Sequence, residues 1–169
     1  MNCTMRSLLK WLACICGVLL FGVMSAAQAG LWKGEPPSDI GVRGGLLKPP
    51  SLTANSVSSQ ADLHANHPQR TNAAIGPLAL RDGNGPATLA RLKSLLAGMD
   101  GITLVKSEVD YLYVQASTRW MGFVDDLEFW HDSQAQVIQV RSASRVGSSD
   151  MGVNRQRVEL LRAALKAMP

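Results

Sequence analysis

Four β-type stretches lie between two amphipathic helical stretches, and this order limits the possible folds more than any other feature of the sequence. Residues 102–108, 110–118, 124–130 and 136–144 are rich in Val, Leu, Tyr, Phe and Trp, the side chains typical of strands. The loops between them are short, so neighbouring strands pair antiparallel. We therefore predict an α+β fold: a two-layer sandwich with a four-stranded, mainly antiparallel sheet and two helices on one face.

Apolar stripes and boundary residues mark the two helices. Pro86 suits the first position of the earlier helix, and Gly98 suits its end. The later helix is predicted over residues 154–168. The stripes consist of Leu89, Leu92, Leu96 and Met99 in the first helix, and of Val158, Leu161, Leu165 and Met168 in the second. A short edge strand is predicted near Leu78, beside Pro77.

The last two strands form a hairpin whose register follows from side-chain alternation. Leu127 must share a face with Val140, so an odd residue lies opposite an even one, and the loop contains an even number of residues. The same parity places Asp126 and Glu128 on the other face with Arg141. We expect a carboxylate and a guanidinium to face each other across these strands.

The first 29 residues have the three parts of a secretory signal peptide. Arg6 and Lys10 precede an uncharged apolar run over residues 11–24, and Ala27-Gln28-Ala29 is a cleavage motif. The alternative is an uncleaved anchor, because residues 11–29 carry no charge and are nearly long enough to span a bilayer. That alternative would associate the protein with a membrane. In both cases we predict an exported protein in a periplasmic or extracytoplasmic compartment.

Removal of this segment changes what the composition allows. All three cysteines, Cys3, Cys14 and Cys16, lie within it, so a mature chain would have no disulfide, catalytic thiolate or Cys-bound metal. Without Arg6 and Lys10, 15 basic side chains face 13 acidic ones, and the net charge falls from +4 to +2. Such a weak excess does not predict nucleic-acid binding.

Residues 30–71 are predicted to form a Pro/Gly/Ser-rich arm that is partly disordered. Pairs such as Pro36-Pro37 and Pro49-Pro50 interrupt it, and no apolar period persists along it. Its segment 52–61 contains the Asn and Ser residues that could turn the backbone and dock it on the domain. The single α+β domain is then predicted over residues 72–169, enough for one modest core.

Five arginines and two acids lie between residues 141 and 162. Arg141 and Arg145 project to one side of the last strand, and a glycine-containing turn follows them. Arg155 stands in the first turn of the last helix, where the helix dipole disfavours a cation. A strand, a turn and the beginning of a helix that together carry these arginines predict a site that binds negatively charged groups. The predicted members are Asp125, Asp126, Glu128, Arg141, Arg145, Asp150, Asn154 and Arg155.

Two kinds of group would fill this site, and they imply different functions. The protein's own carboxylates would make it a structural network, with Asp150 or Asn154 capping the last helix; an outside carboxylate or phosphate would make it a ligand site. We favour a binding or scaffold module of the cell envelope, with an anionic ligand or an envelope protein as partner. The alternative is a small hydrolase that uses Asp125, Asp126 or Glu128 as base.

The sequence predicts no metal site, cofactor or nucleic-acid surface. His64 and His67 lie in the arm, His131 lies in a hairpin turn, and no helical pair of histidines exists. Nucleotide-binding glycine motifs and the nucleophile elbow of serine hydrolases are absent. Too few aromatic side chains share a face to stack on single-stranded nucleic acid.

Two stretches carry a family resemblance: FVDDLEF at residues 123–129 and RSASRVGSSDMGVNRQRVE at residues 141–159. They resemble the bacterial and plant family catalogued as domain of unknown function 1499, and the likeness extends from about Asn55 to the C-terminus. No activity is established for that family, so the resemblance implies domain limits and the charged cluster, not a mechanism. The family pattern usually has Cys in place of Ser56, so a thiol-dependent role does not carry over.

Overall fold

A computed structural model describes residues 3–168 of the protein, so the predicted ends of the signal segment at residue 1 and of the domain at residue 169 lie outside the described residues. A 3-10 turn, Ala61–Leu63, lies between the first strand and the second helix. The other elements are α1 (Cys3–Gln28), β1 (Ser56–Ser58), α2 (Arg70–Ala73), β2 (Leu78–Ala79), α3 (Gly85–Ala97), β3 (Ile102–Ser107), β4 (Tyr111–Ser117), β5 (Val124–Asp132), β6 (Val137–Ser144) and α4 (Val153–Ala167).

The strands form one antiparallel sheet in the order β1-β6-β5-β4-β3, and β2 pairs with the same edge of β6 as β1. The α+β class and the antiparallel sheet are confirmed, but the predicted number of four strands is wrong, because the sheet has six. The two additional strands are β1, three residues long, and β2, two residues long, which lies where the short edge strand near Leu78 is predicted. A strand as short as β1 contains too few residues for alternation to be detected.

The β5–β6 hairpin has the predicted parity. Phe129 lies opposite Val140 and Glu128 lies opposite Arg141. The loop between the strands comprises residues 133–136, an even number. Alternation therefore gives the hairpin two chemically different faces, one apolar and one charged.

The apolar face and the last two long helices share one core. Leucines of α3 and α4 pack with the even residues of β4 and β6 and with the odd residues of β5. Phe129 and Leu127 lie at its centre and are fully buried. Asn84 caps α3 by accepting a hydrogen bond from the Ala87 amide. The helix begins at Gly85, one residue before the predicted first position at Pro86.

The segment predicted as a weakly ordered arm crosses the charged face of the sheet. Leu47 is 2% exposed and packs against Tyr111 and Tyr113, and the Leu47 amide donates to the side chain of Gln60 at 2.8 Å. Single buried side chains and backbone hydrogen bonds attach this segment to the sheet, and neither kind of contact produces an apolar period in the sequence. From here on, "arm" means only residues 31–52, the first part of the predicted segment 30–71.

Helix α1 contains a stretch long and apolar enough to cross a membrane. The stretch is Ser7–Gln28, 22 residues with a mean hydropathy of 2.1, and it is exposed along most of its length, with Ala27 buried near its end. A helix of this kind near an N-terminus is typical of a signal sequence as well as of a membrane anchor.

Candidate functional site

The predicted charge cluster is divided between the two faces of the sheet. Consecutive residues of a strand point to opposite sides, so Asp125 faces the helices while Asp126 faces the arm. Asp126 and Glu128 meet Arg145 and Arg141 beneath the arm. The cluster is therefore two separate groups of interactions.

Asp126 is the centre of the first row of contacts on the arm-covered face. The Tyr113 hydroxyl donates to Asp126 Oδ1 at 2.5 Å. Arg145 donates from Nε to Oδ2 and from Nη2 to Oδ1, each at 2.8 Å. This two-pronged contact is the strongest geometry that an arginine and a carboxylate form. Because Asp126 is 2% exposed, its charge is balanced within the protein.

Glu128 is the centre of a second, parallel row. The Tyr111 hydroxyl and the Gly41 amide both donate to Glu128 Oε1, at 2.7 and 2.8 Å. Arg141 Nη1 lies 3.6 Å from Oε2, too far for a hydrogen bond, and Oε2 has no hydrogen-bond partner among the described residues. Arg141 Nε donates to the Pro49 carbonyl at 3.2 Å. Both members of the ion pair therefore also hold the arm.

Burial dominates the electrostatics of the second row. Glu128 is fully buried, and desolvation raises the pKa of its carboxyl even though the Tyr111 hydroxyl, the Gly41 amide and Arg141 favour the charged form. Desolvation, followed by the nearby Glu128 charge, raises the pKa of Tyr111 as well. Tyr111 is therefore a stable hydrogen-bond donor to Glu128 at neutral pH.

The helix-facing group connects the sheet to the start of α4. Arg157 Nη2 donates to Asp125 Oδ2 at 2.7 Å. The buried Asn154 side chain donates to the Asn55 carbonyl at 3.2 Å and to Asp150 at 2.8 Å. These contacts join three distant parts of the chain at one polar point within the core.

Asp150 satisfies the first amides of α4, one of the two predicted capping arrangements. The residue before the helix is Gly152, which has no side chain, and Asp150 accepts from the amides of Gly152 and Asn154 at 3.0 and 2.9 Å. Burial opposes ionisation of Asp150, but these amide donors outweigh it and lower the pKa of its carboxyl. Negative charge at a helix N-terminus is favourable.

Arg155 lies outside both groups, although the sequence predicts it among the cluster residues. Its Nη2 donates to the carbonyls of Asn72 and Ala74, each at 2.9 Å. The helical turn directs Arg155 and Arg157, two positions apart, to different sides. Arg157 is the residue that reaches Asp125.

A cleft of about 630 Å³ opens between the arm and the edge of the charged face. Arg141 and Arg145 form part of its floor, and Lys48 and Asp39 of the arm line its side. Lys48 Nζ lies 2.5 Å from Asp39 Oδ1, and this hydrogen bond lowers the pKa of Asp39. The volume of the cleft is within the range of cavities that bind small molecules.

The family model described as "Protein of unknown function (DUF1499)" matches residues 47–165, more than two thirds of the chain. This chain belongs to the DUF1499 family. No curated protein and no solved structure matches it. The DUF1499 match contains both rows of tyrosine, carboxylate and arginine, whereas Asp39 and Gly41 of the arm precede it.

The predicted site residues lack three members of these groups in this DUF1499 protein: Tyr111, Tyr113 and Arg157, of which Arg157 is one of the five arginines counted in the charged segment. The alternation of β4 puts both tyrosines on one face, but the register of β4 against β5 depends on a six-residue loop, 118–123, whose length alone does not fix it. Their hydroxyls also reach acids diagonally across the strands and not directly opposite. No three side chains in the described residues are grouped to hold a metal ion.

Replacement of Arg141 tests whether the second row supports the fold. We expect Arg141→Gln to lower the free energy of unfolding by about 3 to 5 kcal/mol, because Glu128 would remain buried without its counter-charge. Denaturant unfolding of the full-length protein in detergent measures the change. Arg70→Gln is the control: Arg70 pairs with Asp62 on the exposed surface, and its loss costs at most about 1 kcal/mol. Equal effects of the two changes would contradict a buried role for Arg141.

The pH dependence of stability tests the state of Glu128. Its pKa in the folded protein is raised above the ordinary value of 4.5, so its contribution to stability is complete below that pH and is lost as the pH rises through the folded value. The free energy of unfolding of the wild type, minus that of Glu128→Gln, should therefore decrease from about pH 4 to about pH 8. Asp150 also contributes to the pH dependence, but it is present in both proteins, so its contribution cancels in the difference. A constant difference would show that burial does not disfavour the charge.

Proposed function

We propose that this DUF1499 protein is an exported binding module of the cell envelope whose arm-covered cleft receives an anionic group. The basic N-terminus, the apolar α1 and the Ala27-Gln28-Ala29 motif support export to a periplasmic or extracytoplasmic location. The partner would be a small carboxylate or phosphate compound, or an acidic group on an envelope protein.

The observation that carries the proposal is the position of Arg141 in the cleft. Its Nε is bound to the Pro49 carbonyl, and the nearest carboxylate oxygen is 3.6 Å from Nη1. Among the described residues, neither Nη1 nor Nη2 of Arg141 forms a hydrogen bond. Arg141 lines the cleft with 5% of its side-chain surface exposed, and its guanidinium has more terminal N–H donors than its ion pair with Glu128 uses, so it is suited to bind a carboxylate or phosphate as well.

Lys48 and Arg145 add positive charge around Arg141. The Asp126 carboxylate engages Arg145 through two hydrogen bonds, which fixes its position. Lys48 is partly exposed, with 30% of its side-chain surface accessible, and it can exchange Asp39 for a ligand. Arg141 and Lys48 are therefore the two ligand-contacting residues of the proposal.

The engagement of each acid favours binding over the hydrolase alternative. Asp126 already accepts three hydrogen bonds, which weakens it as a base. Glu128 lies beneath the arm and does not line the cleft, and Asp125 is held by Arg157 on the opposite face. None of these carboxylates is a free base within the cleft, as a hydrolytic mechanism requires.

Anion titration tests the proposed ligand class. The full-length protein in detergent would be titrated by calorimetry with phosphate, citrate and succinate, and we expect at least one of them to bind. Lys48→Gln should weaken that binding about tenfold, since it removes one charge-assisted hydrogen bond.

Arg70→Gln is the matched control for this titration. It removes an equal charge at an exposed pair outside the cleft, and it should leave the affinity unchanged. Binding of no anion, or an equal loss in the two variants, would contradict an anion site in the cleft.

A further inference from the structure

The C-terminal end of α1 is a defined structural stop and not a frayed end. Gly30, with a φ of +76°, donates its amide to the Ala27 carbonyl at 3.0 Å, and the Leu31 amide donates to the Ala26 carbonyl at 3.2 Å. This pair of bonds with a left-handed glycine is the Schellman arrangement. The chain therefore leaves α1 in a fixed direction.

The loop between β4 and β5, residues 118–123, lies directly against this end of α1. A Cβ placed on Gly122 would be 3.2 Å from the Ala27 carbonyl oxygen, and Ala27 is 6% exposed. The rings of Trp32 and Phe123 contact each other with centroids 6.1 Å apart. No flexible spacer therefore separates the helix from the domain.

The connection continues to the charged face of the sheet. A Cβ placed on Gly34 would lie 2.7 Å from Cβ of Arg145, so the backbone of the arm touches the end of β6 there. The five residues between α1 and this contact are too few to carry the domain away from the helix, since an extended residue spans at most about 3.6 Å.

The length of α1 sets where a membrane surface would lie. The stretch Ser7–Gln28 has 22 residues, about 33 Å of helix, and the hydrocarbon core of a bilayer is about 30 Å thick. Gln28 therefore lies at one boundary of the hydrocarbon. The basic residues Arg6 and Lys10 at the other end favour the cytoplasmic side. Because Ala27 touches loop 118–123, that loop lies at the headgroup level.

The loop has the side chains that suit this level. Trp120 is 66% exposed, and the Arg119 guanidinium lies over its ring at 5.6 Å. Leu31, directly after the end of α1, is 72% exposed. Tryptophan concentrates at membrane interfaces, where its ring is apolar and its N–H is polar, and arginine pairs with lipid phosphates.

We propose that α1 is retained as a transmembrane anchor and that loop 118–123 is a second membrane contact, with Trp120 at the acyl boundary and Arg119 at the lipid phosphates. The domain then lies against the outer face of the membrane, with the charged face of the sheet held close to it through Gly34 and Arg145. This inference is independent of the anion cleft, because its membrane-contacting residues, Trp120 and Arg119, do not line the cleft and its partner is the lipid bilayer.

Quenching of tryptophan fluorescence by brominated lipids tests the contact. The full-length protein is reconstituted into phosphatidylcholine vesicles with or without bromine on acyl carbons 6 and 7, and the emission of each tryptophan is obtained by subtracting that of its Trp→Phe variant. We expect the Trp120 emission to be quenched, but less strongly than that of Trp11, which lies deeper in the hydrocarbon within α1. Emission of Trp120 that is equal in the two lipids would overturn the proposal.

Trp130→Phe is the matched control, since Trp130 lies in β5 beside the arm and far from the helix end. Its emission should not change with bromination. The mass of the protein extracted from its native membrane supplies a second measurement. An intact N-terminal segment is expected, and a chain that begins at Gly30 would overturn the proposal while leaving export and anion binding open.

Discussion

One carboxylate without access to water, that of Glu128, connects the parts of this structure. A buried charge is tolerated only where hydrogen bonds and a counter-charge replace the lost water. Here β4 supplies the Tyr111 hydroxyl, β6 supplies Arg141, and the arm supplies the Gly41 amide. The Pro49 carbonyl of the arm also accepts a hydrogen bond from Arg141 Nε. The charged face therefore needs the arm as cover, and the arm in turn is attached to the sheet largely by that charge.

Alternation along β5 explains why the molecule has two polar groups with different roles. Asp125 and Asp126 are neighbours in sequence, but one closes the start of α4 through Arg157 and the other holds Arg145 under the arm. The helix-facing group lies in the core, where it fixes the helix to the sheet. The arm-facing group borders the cleft, which is the proposed anion site. The pleat of one strand thus separates the group that fixes the helix from the group beside the cleft.

The long elements and the hairpin register could be predicted because they depend on local patterns. Leu127 and Val140 determine the parity of the β5–β6 pair, and that parity places Glu128 opposite Arg141. The remaining features depend on contacts between residues distant in sequence. β1 is too short to show alternation, Leu47 is a single buried anchor in a polar segment, and the tyrosine contacts depend on a diagonal geometry. The prediction of Arg155 in the cluster is wrong because helical position alone does not show which side of α4 meets the sheet.

Hydrogen exchange of the Gly41 amide shows whether Glu128 holds the arm as a folded part of the domain, because Glu128 is the hydrogen-bond acceptor of that amide. In the full-length protein, we expect the Gly41 amide to exchange nearly as slowly as the backbone amides of β5. Gly44 is the internal reference, since its amide forms no hydrogen bond among the described residues and should exchange fast. Exchange of the Gly41 amide at the rate of Gly44 would mean that Glu128 does not hold the arm.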